Sequence, residues 1–450
     1  MDKIAYVSPL NPVKSGISDY SEELIPALSR HYDIEIYIPN DFKPTNQSLA
    51  NYGTFRKFHE LPARYATYKT VLYHMGNNYE AHHDIYDLLV KFPGIVVLHD
   101  FSLHHFFVQK TLEMGDQQAY LNEMLYCHGM EGLEAAEKFL KGKSKPPWES
   151  QSLKYPLNLR VLDHAAAVIV HSKFAKEKIE EQTPFVPVFE VPMPARHIIE
   201  HDQADEMKKQ ARRALGLKDD EIVISTLGYV NPTKRVDKIL AALGQLKKEK
   251  KIPSFKFVIV GQISEDYPVH AYIKKNGLQD DVICTGFVSL EQFETYIAAS
   301  DFCINLRYPT QGESSASLLR ILGYGKPVIV TDVGSFSDFE LDYVIKIPYD
   351  DEEIKQLKKA IDQFAKRSLT ASEFIMHYVR INHSLERVAS DYKRTIDTVL
   401  AENRSNVMIV VNNYLEKLAK RTMVLQSSEI FDIYVERTAA NIANTFLNFK

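Results

Sequence analysis

The sequence predicts an α/β protein with two doubly wound parallel-sheet domains and a C-terminal helical extension. Three observations predict it. Short all-apolar runs recur, each followed by a helical stretch, as Ile222–Leu227 is followed by Arg235–Lys248. Buried parallel strands with helical crossovers leave that pattern. The alternation occurs twice, with a segment bearing Pro192 and Pro194 and then charged residues up to Asp205 between the halves. After about Lys366 the apolar spacing takes the helical period and no further strand is expected.

In the first half, strands are expected at Ile4–Val7, Ile34–Ile38, Thr70–His74, Ile95–His99 and Ala167–His171. Helices are expected at Tyr20–Ser29, Asp84–Lys91 and Lys173–Glu181. In the second half the strands are Ile222–Leu227, Lys256–Val260, Val282–Thr285, Phe302–Leu306 and Val328–Thr331, with helices Arg235–Lys248 and Leu290–Ala298 between them. Ser384–Leu400, Asn406–Lys420 and Glu429–Phe449 read as amphipathic helices. The expected domains are 1–198, 199–370 and 371–450, the first C-terminal helix crossing back to the N-terminal domain.

Composition narrows the function. A chain of 450 residues exceeds one ordinary core. It is 45% hydrophobic and 25% charged, a soluble balance, and its formal charge of −5 argues against a nucleic-acid partner. Cys127, Cys284 and Cys303 are far apart and odd in number, which suits a reducing cytoplasm. MDKIAYVSPL lacks a signal-peptide core, and no apolar run approaches the ~18 residues that span a bilayer. A peripheral contact with the inner face of the membrane stays open, as does a homodimer through the C-terminal helices. There is no Walker loop, G-x-G-x-x-G, G-x-S-x-G or H-E-x-x-H, which counts against kinases, dinucleotide oxidoreductases, α/β-hydrolases and zincins.

Ligands of open α/β sheets bind at the C-terminal ends of strands. The richest such segment is RYPTQGESSASLLRILGYGKPVIVTD, Arg307–Asp332. Gly312, Glu313, Ser314 and Ser315 precede a helix whose unpaired N–H groups suit phosphate. Glu313 would repel phosphate and suits sugar hydroxyls instead. After Ile222–Leu227 come Gly228 and then Lys234–Arg235, two cations at a helix start that an anion would make favourable. Gly286-Phe287-Val288 offers backbone groups to a base. In the first half, Ser15-Gly16-Ile17 follows the first strand, with Ser18 or Asp19 as candidate N-cap. Gly76-Asn77-Asn78 is a hydrogen-bonding turn. His99 and Asp100 end a strand, and His104 and His105 follow. Three histidines and one aspartate fall short of a metal site without a second cluster, so no metal is expected. Structural roles for His104 and His105, and plain turns at Gly16 and Asn77, compete with binding roles.

These residues resemble the GT-B retaining glycosyltransferases of family 4, of the bacterial polysaccharide type. The likeness covers most of residues 1 to 385 and rests on SGISDY, GNN, VVLHD and the GESS segment. It is strongest in Gly228–Leu240, Gly286–Phe293 and Pro309–Val333. The resemblance implies two Rossmann-like domains, an acceptor-side N-terminal one and a nucleotide-sugar-binding C-terminal one. It implies a donor loop at Gly16, a sugar contact at His99 and a phosphate-binding lysine at Lys234. The family's G-R-x-x-P-E-K pattern reads G-Y-V-N-P-T-K here, so Tyr229 replaces an arginine that Arg235 would supply. The paired-glutamate motif places Gly312 and Arg320 at its two positions, with Glu313 one place later. Arg320 accepts no hydrogen bond, which leaves the ribose contact open.

The expected activity is hexosyl transfer with retention from a nucleoside-diphosphate sugar, GDP-mannose first, to a growing polysaccharide or lipid-linked glycan such as O-antigen or capsule. No cofactor and no metal are implied. His99, Asp100, Lys234 and Glu313 would carry the chemistry. Gly16, Gly228, Tyr229, Arg235, Phe287, Val288, Gly312, Ser314, Ser315 and Arg320 would shape the donor site. Asp100, His104 and Asn77 would meet the acceptor. A GT-B epimerase or phosphorylase, or a non-catalytic sugar-binding subunit, are the alternatives.

Overall fold

The computed structural model describes residues 1–183, 186–366 and 372–401. The chain divides into two units. Among the described residues, the first is Met1–Pro192 with Gln311–Glu313 and 388–401; the second is Met193–Thr310 with Ser314–Arg387. The helix Glu373–His383 groups with the second unit, not with a separate extension.

The first unit holds β1 (Lys3–Val7), β2 (Asp33–Ile38), β3 (Thr54–Lys57), β4 (Thr70–Met75), β5 (Gly94–Leu98), β6 (Ala165–Val170) and β7 (Val188–Glu190). They form one sheet in the order β3-β2-β1-β4-β5-β6-β7. Every pairing in it is parallel. The second unit holds β8 (Ile222–Leu227), β9 (Phe255–Val260), β10 (Val282–Gly286), β11 (Phe302–Asn305), β12 (Val328–Thr331) and β13 (Val344–Ile347). Their order is β10-β9-β8-β11-β12-β13, again all parallel.

Both sheets reverse their strand order in the middle, at β1/β4 and at β8/β11. The connections after those strands part to opposite sides there, and the gap is where such sheets take ligands. The strands that build these centres are buried along their whole length: β4, β6, β11 and β12 have no exposed position. Crossover helices add the second layer. Ile239, Leu240 and Leu243 of the helix Val236–Lys248 pack with Phe257, Ile259 and Phe302 of the sheet.

Ten strands lie where the sequence places them, within two residues. β3, β7 and β13 have no counterpart among the expected strands. β3 is TFRK at a sheet edge, β7 has three residues, and β13 is only half-buried at two of its four positions. Edge strands escape an argument built on continuous apolar runs. The helix His201–Leu215 begins inside the charged stretch expected to be a linker. The helix Leu385–Ala401 matches its expected range. Its residues from Val388 group with the first unit, where Tyr392 Oη meets Tyr20 Oη at 2.7 Å and Tyr32 Oη donates to Asp397 Oδ1 at 3.0 Å. The expected helices at 406–420 and 429–449 lie outside the described residues. No described helix is long and apolar enough to cross a membrane.

Candidate functional site

In the second unit the reversal point gathers Lys234, Asn305 and Ser315. Lys234 closes a 3₁₀ turn, Pro232–Lys234, in the connection after β8 and is 3% exposed. Its Nζ donates to Leu227 O at 3.0 Å and to Asn305 Oδ1 at 2.9 Å. Asn305 ends β11, and its Nδ2 donates to Ser315 Oγ at 3.2 Å. Ser315 is the N-cap of the helix Ala316–Gly323 and accepts from Leu318 N at 3.2 Å. A buried ammonium is thus tied through one amide to a helix start, where N–H groups and the dipole favour negative charge. Gly228 adopts φ +105, and a Cβ there would lie 3.7 Å from the Lys234 ammonium.

The helix after Lys234 starts at Val236, one residue later than expected, because Arg235 takes a left-handed conformation with φ 51. Arg235 does not stand beside Lys234 as a second phosphate contact. Its guanidinium forms a bidentate pair with Glu353, whose carboxylate is 2% exposed. That carboxylate would be costly to leave unpaired. Tyr229 and Phe287 are exposed at the ends of β8 and β10, at 57% and 84%, and Val288 packs on the core. Ser314 is half-buried before the helix, and Arg320 is half-buried in its second turn.

In the first unit, β4, β5 and β6 lie side by side, and each leads into a histidine at its C-terminal end: His74, His99 and His171. His171 Nδ1 is 2.8 Å from Val191 O, His171 Nε2 is 3.2 Å from His99 Nδ1, and His99 Nε2 is 3.0 Å from His74 Nδ1. A carbonyl only accepts, so His171 carries its proton on Nδ1. Its Nε2 then accepts from His99 Nδ1–H, and His99 Nε2 accepts from His74 Nδ1–H. The chain ends at His74 Nε2, which is buried with no hydrogen-bond partner among the described residues. Burial is the main cause that holds His74 and His99 well below the ordinary 6.5 and His171 down to about 4, so all three are neutral. Tyr20 covers the three rings at 4.9 to 5.8 Å. A sugar contact at His99 therefore does not use a ring nitrogen, since both are occupied by other histidines.

Asp100 Oδ2 accepts from Asn77 N at 2.8 Å. Loss of surrounding water pushes its carboxyl up, the Asn77 N–H partly opposes this, and the nearby Glu313 charge raises it again, to about 6 from 3.8. Glu313 Oε2 accepts from Gln311 N at 2.7 Å. The segment 311–313 is held by Ser102 N donating to Gln311 O at 2.9 Å. Gly312 has φ 74, and a Cβ there would lie 2.6 Å from Phe101 Cβ. Asp100 and Glu313, far apart in sequence, thus share one electrostatic neighbourhood. Asn77 Oδ1 accepts from Phe106 N at 3.0 Å, so its side chain is structural. His104 is a second correction: Nδ1 meets Tyr155 O at 2.6 Å and Nε2 meets Tyr120 Oη at 2.9 Å, both inside the core. Gly16 is the first residue of the helix Gly16–Leu28, whose N-cap is Ser15 rather than Ser18 or Asp19. Among the described residues, no three His, Cys, Asp or Glu side chains are placed to hold a metal.

Residues 207–376 match the family model described as glycosyl transferases group 1. This segment is similar to the group 1 glycosyl transferase domain over that range. It carries Lys234, Asn305 and the Ser315 helix cap. A curated relative, the alpha-monoglucosyldiacylglycerol synthase of Streptococcus pneumoniae, is 31% identical over 131 residues, 27% of this chain. The match spans only 28% of that relative's length. Among solved structures, the sucrose-phosphate synthase of Thermosynechococcus elongatus aligns over 89% of this chain and 100% of its own, with TM-score 0.56 and 15% identity. HepE of Anabaena, solved in complex with UDP-glucose, aligns over 88% of this chain and 100% of its own, with TM-score 0.57 and 13% identity. Together with the two parallel sheets, these likenesses show that the chain has the GT-B fold.

Proposed function

We propose that the protein transfers a hexosyl group, with retention, from a nucleoside-diphosphate sugar to a hydroxyl of a glycan or glycolipid acceptor. The observation that carries this reading is the buried Lys234 ammonium joined through Asn305 to the cap of the helix Ala316–Gly323. An ammonium that is nearly dry and held at a helix start is built to stabilise charge on a departing diphosphate.

In the proposed reaction the bond from the anomeric carbon to the diphosphate oxygen breaks, and its electron pair leaves with the diphosphate. The acceptor oxygen bonds to the same face of that carbon, and its proton passes to the diphosphate. Lys234 and the N–H groups after Ser314 and Ser315 hold the leaving group. Gly228 lets backbone approach it, and Tyr229, Phe287 and Val288 flank the nucleoside, with Arg320 beside them. Asp100 orients the acceptor hydroxyl, and Glu313 accepts from sugar hydroxyls. A carboxyl pushed up to about 6 is ionised at neutral pH, in the form that accepts a hydrogen bond from the acceptor hydroxyl and so orients it.

A UDP-hexose is the donor favoured among those expected. HepE was solved with UDP-glucose, and the streptococcal relative is named for a glucosyl product. GDP-mannose is the competing donor, from the resemblance of the sequence alone. The relative's diacylglycerol-linked product also supports a lipid-linked acceptor. The test is product analysis by mass spectrometry with UDP-glucose, UDP-galactose and GDP-mannose over lipid-linked and soluble glycan acceptors. A hexosyl adduct with the donor's anomeric configuration is the expected product. Donor conversion to an epimer without acceptor would replace this reading with an epimerase. Donor binding without turnover on any acceptor would replace it with a sugar-binding subunit.

A further inference from the structure

The diphosphate reading leaves a charge imbalance. A nucleoside diphosphate carries more than one negative charge, and Lys234 supplies one positive one. Arg235, the adjacent cation in sequence, is committed to Glu353 in a bidentate pair. We propose that Arg307 is the second diphosphate-binding cation; this rests on the reading of Lys234 made above.

The placement of Arg307 carries the inference. It lies two residues beyond Asn305, the residue that holds Lys234, on the other side of the sheet's reversal point. Its backbone N donates to Thr331 Oγ1 at 3.0 Å, which fixes the chain at the end of β12. Its guanidinium turns back toward the β8 connection, where Nη1 donates to Thr233 Oγ1 at 2.9 Å. Thr233 immediately precedes Lys234. The next peptide repeats the tie, with Tyr308 N donating to Thr233 O at 2.8 Å. Tyr308 is held in turn by stacking on Tyr349 at 4.1 Å. The loops after β8 and β11 are thus laced together by Arg307 and Tyr308 at Thr233, the residue that precedes Lys234. A guanidinium carries five N–H donors in a fixed fork, and a fork held at this point suits phosphate oxygens.

The experiment titrates the full-length protein with UDP and GDP, each beside its nucleoside, uridine or guanosine, by calorimetry and ligand-observed NMR. Native protein, Arg307→Gln, Arg307→Lys and Lys234→Ala are compared. Arg307→Gln is expected to weaken the bound diphosphate by about 10- to 100-fold, the size of one charge-assisted contact. Nucleoside affinity stays unchanged and Arg307→Lys falls between. A melting temperature close to native confirms that each variant is folded, and Arg307→Lys keeps a folded comparison if Arg307→Gln is not. Equal loss of nucleoside and diphosphate would make Arg307 a structural tie and overturn the inference. Full diphosphate affinity in both Arg307 variants, with loss in Lys234→Ala, would overturn it while leaving the diphosphate site standing. Full affinity in all variants, or no binding by native protein, would overturn the Lys234 reading as well.

Discussion

Lys234 Nζ and Asn305 Oδ1 lie 2.9 Å apart, joining the connection after β8 to the end of β11 at the reversal point of the second sheet. The contact brings together a cation from one loop and an amide from the neighbouring strand, and the amide passes the link to Ser315. A buried ammonium needs acceptors for its protons. The Leu227 carbonyl and the Asn305 amide are both neutral acceptors, so neither cancels the positive charge that a phosphate ligand requires.

Changing the amide to a carboxylate tests this directly. Asn305→Asp is nearly isosteric, and it would set a negative charge against Lys234 and against the bound diphosphate. Nucleotide affinity should fall by about tenfold or more, the scale of one charged contact, and melting temperature without ligand should hold or rise. The two quantities are read from one set of thermal melts with and without nucleotide.

Asp100 predicts a pH dependence. Its folded pKa, about 6, lies above the ordinary 3.8, so between these values the folded state binds more protons than the unfolded state. Its contribution to stability is full below about 3.8 and is lost as pH rises through about 6. Asp100→Asn keeps an acceptor for the Asn77 N–H and removes the charge. It should melt higher than native protein at pH 8, with the gain fading at pH 4, while transfer falls by about 10²-fold, the scale on which misplacing a reacting group acts. A variant no more stable at pH 8 than native protein would contradict this account of Asp100.

The acid limb belongs to Glu35. Its carboxylate is 3% exposed in the first unit, and Arg64 and Arg56 donate to it. Burial alone would raise it, but hydrogen bonds from Arg64, Tyr68 and Arg56 outweigh this and hold it down to about 2 from 4.5. A depressed carboxylate stabilises the fold above its unfolded pKa, and that stability is lost as pH falls from about 4.5 toward about 2. Glu35→Gln should lower the melting temperature by a few degrees at pH 7, and the gap to native protein should narrow as pH falls below about 4.5 and close only toward about 2.

The three histidines make a spectroscopic prediction. In nitrogen-15 spectra His74, His99 and His171 should each show a protonated Nδ1 and a bare Nε2. None should titrate between pH 5.5 and 8, the window above the depressed values. An imidazolium signal, or an Nε2-protonated form of His99, would break the chain derived from the Val191 carbonyl.

Much of this architecture is legible in the sequence because buried parallel strands leave unbroken apolar runs, as VIV at Val328–Val330 does. The edges are not, because TFRK at β3 carries no such run. At the site, Lys234, Gly228 and Ser315 are readable from their places after strands and before a helix. The role of Arg235 is not, because Glu353, its partner, lies 118 positions away and nothing local announces it. Asn305 and Arg307 close a strand without a glycine, a helix cap or a charge pair beside them, so their link to the β8 connection shows only in three dimensions. The histidine chain does leave a signal. Three expected strands, Thr70–His74, Ile95–His99 and Ala167–His171, each close on a histidine, and parallel neighbours bring such ends together.

The central claim is that the second unit binds a nucleoside diphosphate at Lys234. Thermal shift of native protein and Lys234→Ala against UDP, GDP and dTDP, with chelator present, tests it most directly, since a ligand of the folded state raises the melting temperature. The predicted result is a clear rise with one nucleotide for native protein, greatest for UDP, and its loss in a Lys234→Ala variant that is otherwise folded. An equal rise in both proteins, or none in native protein, would contradict the claim.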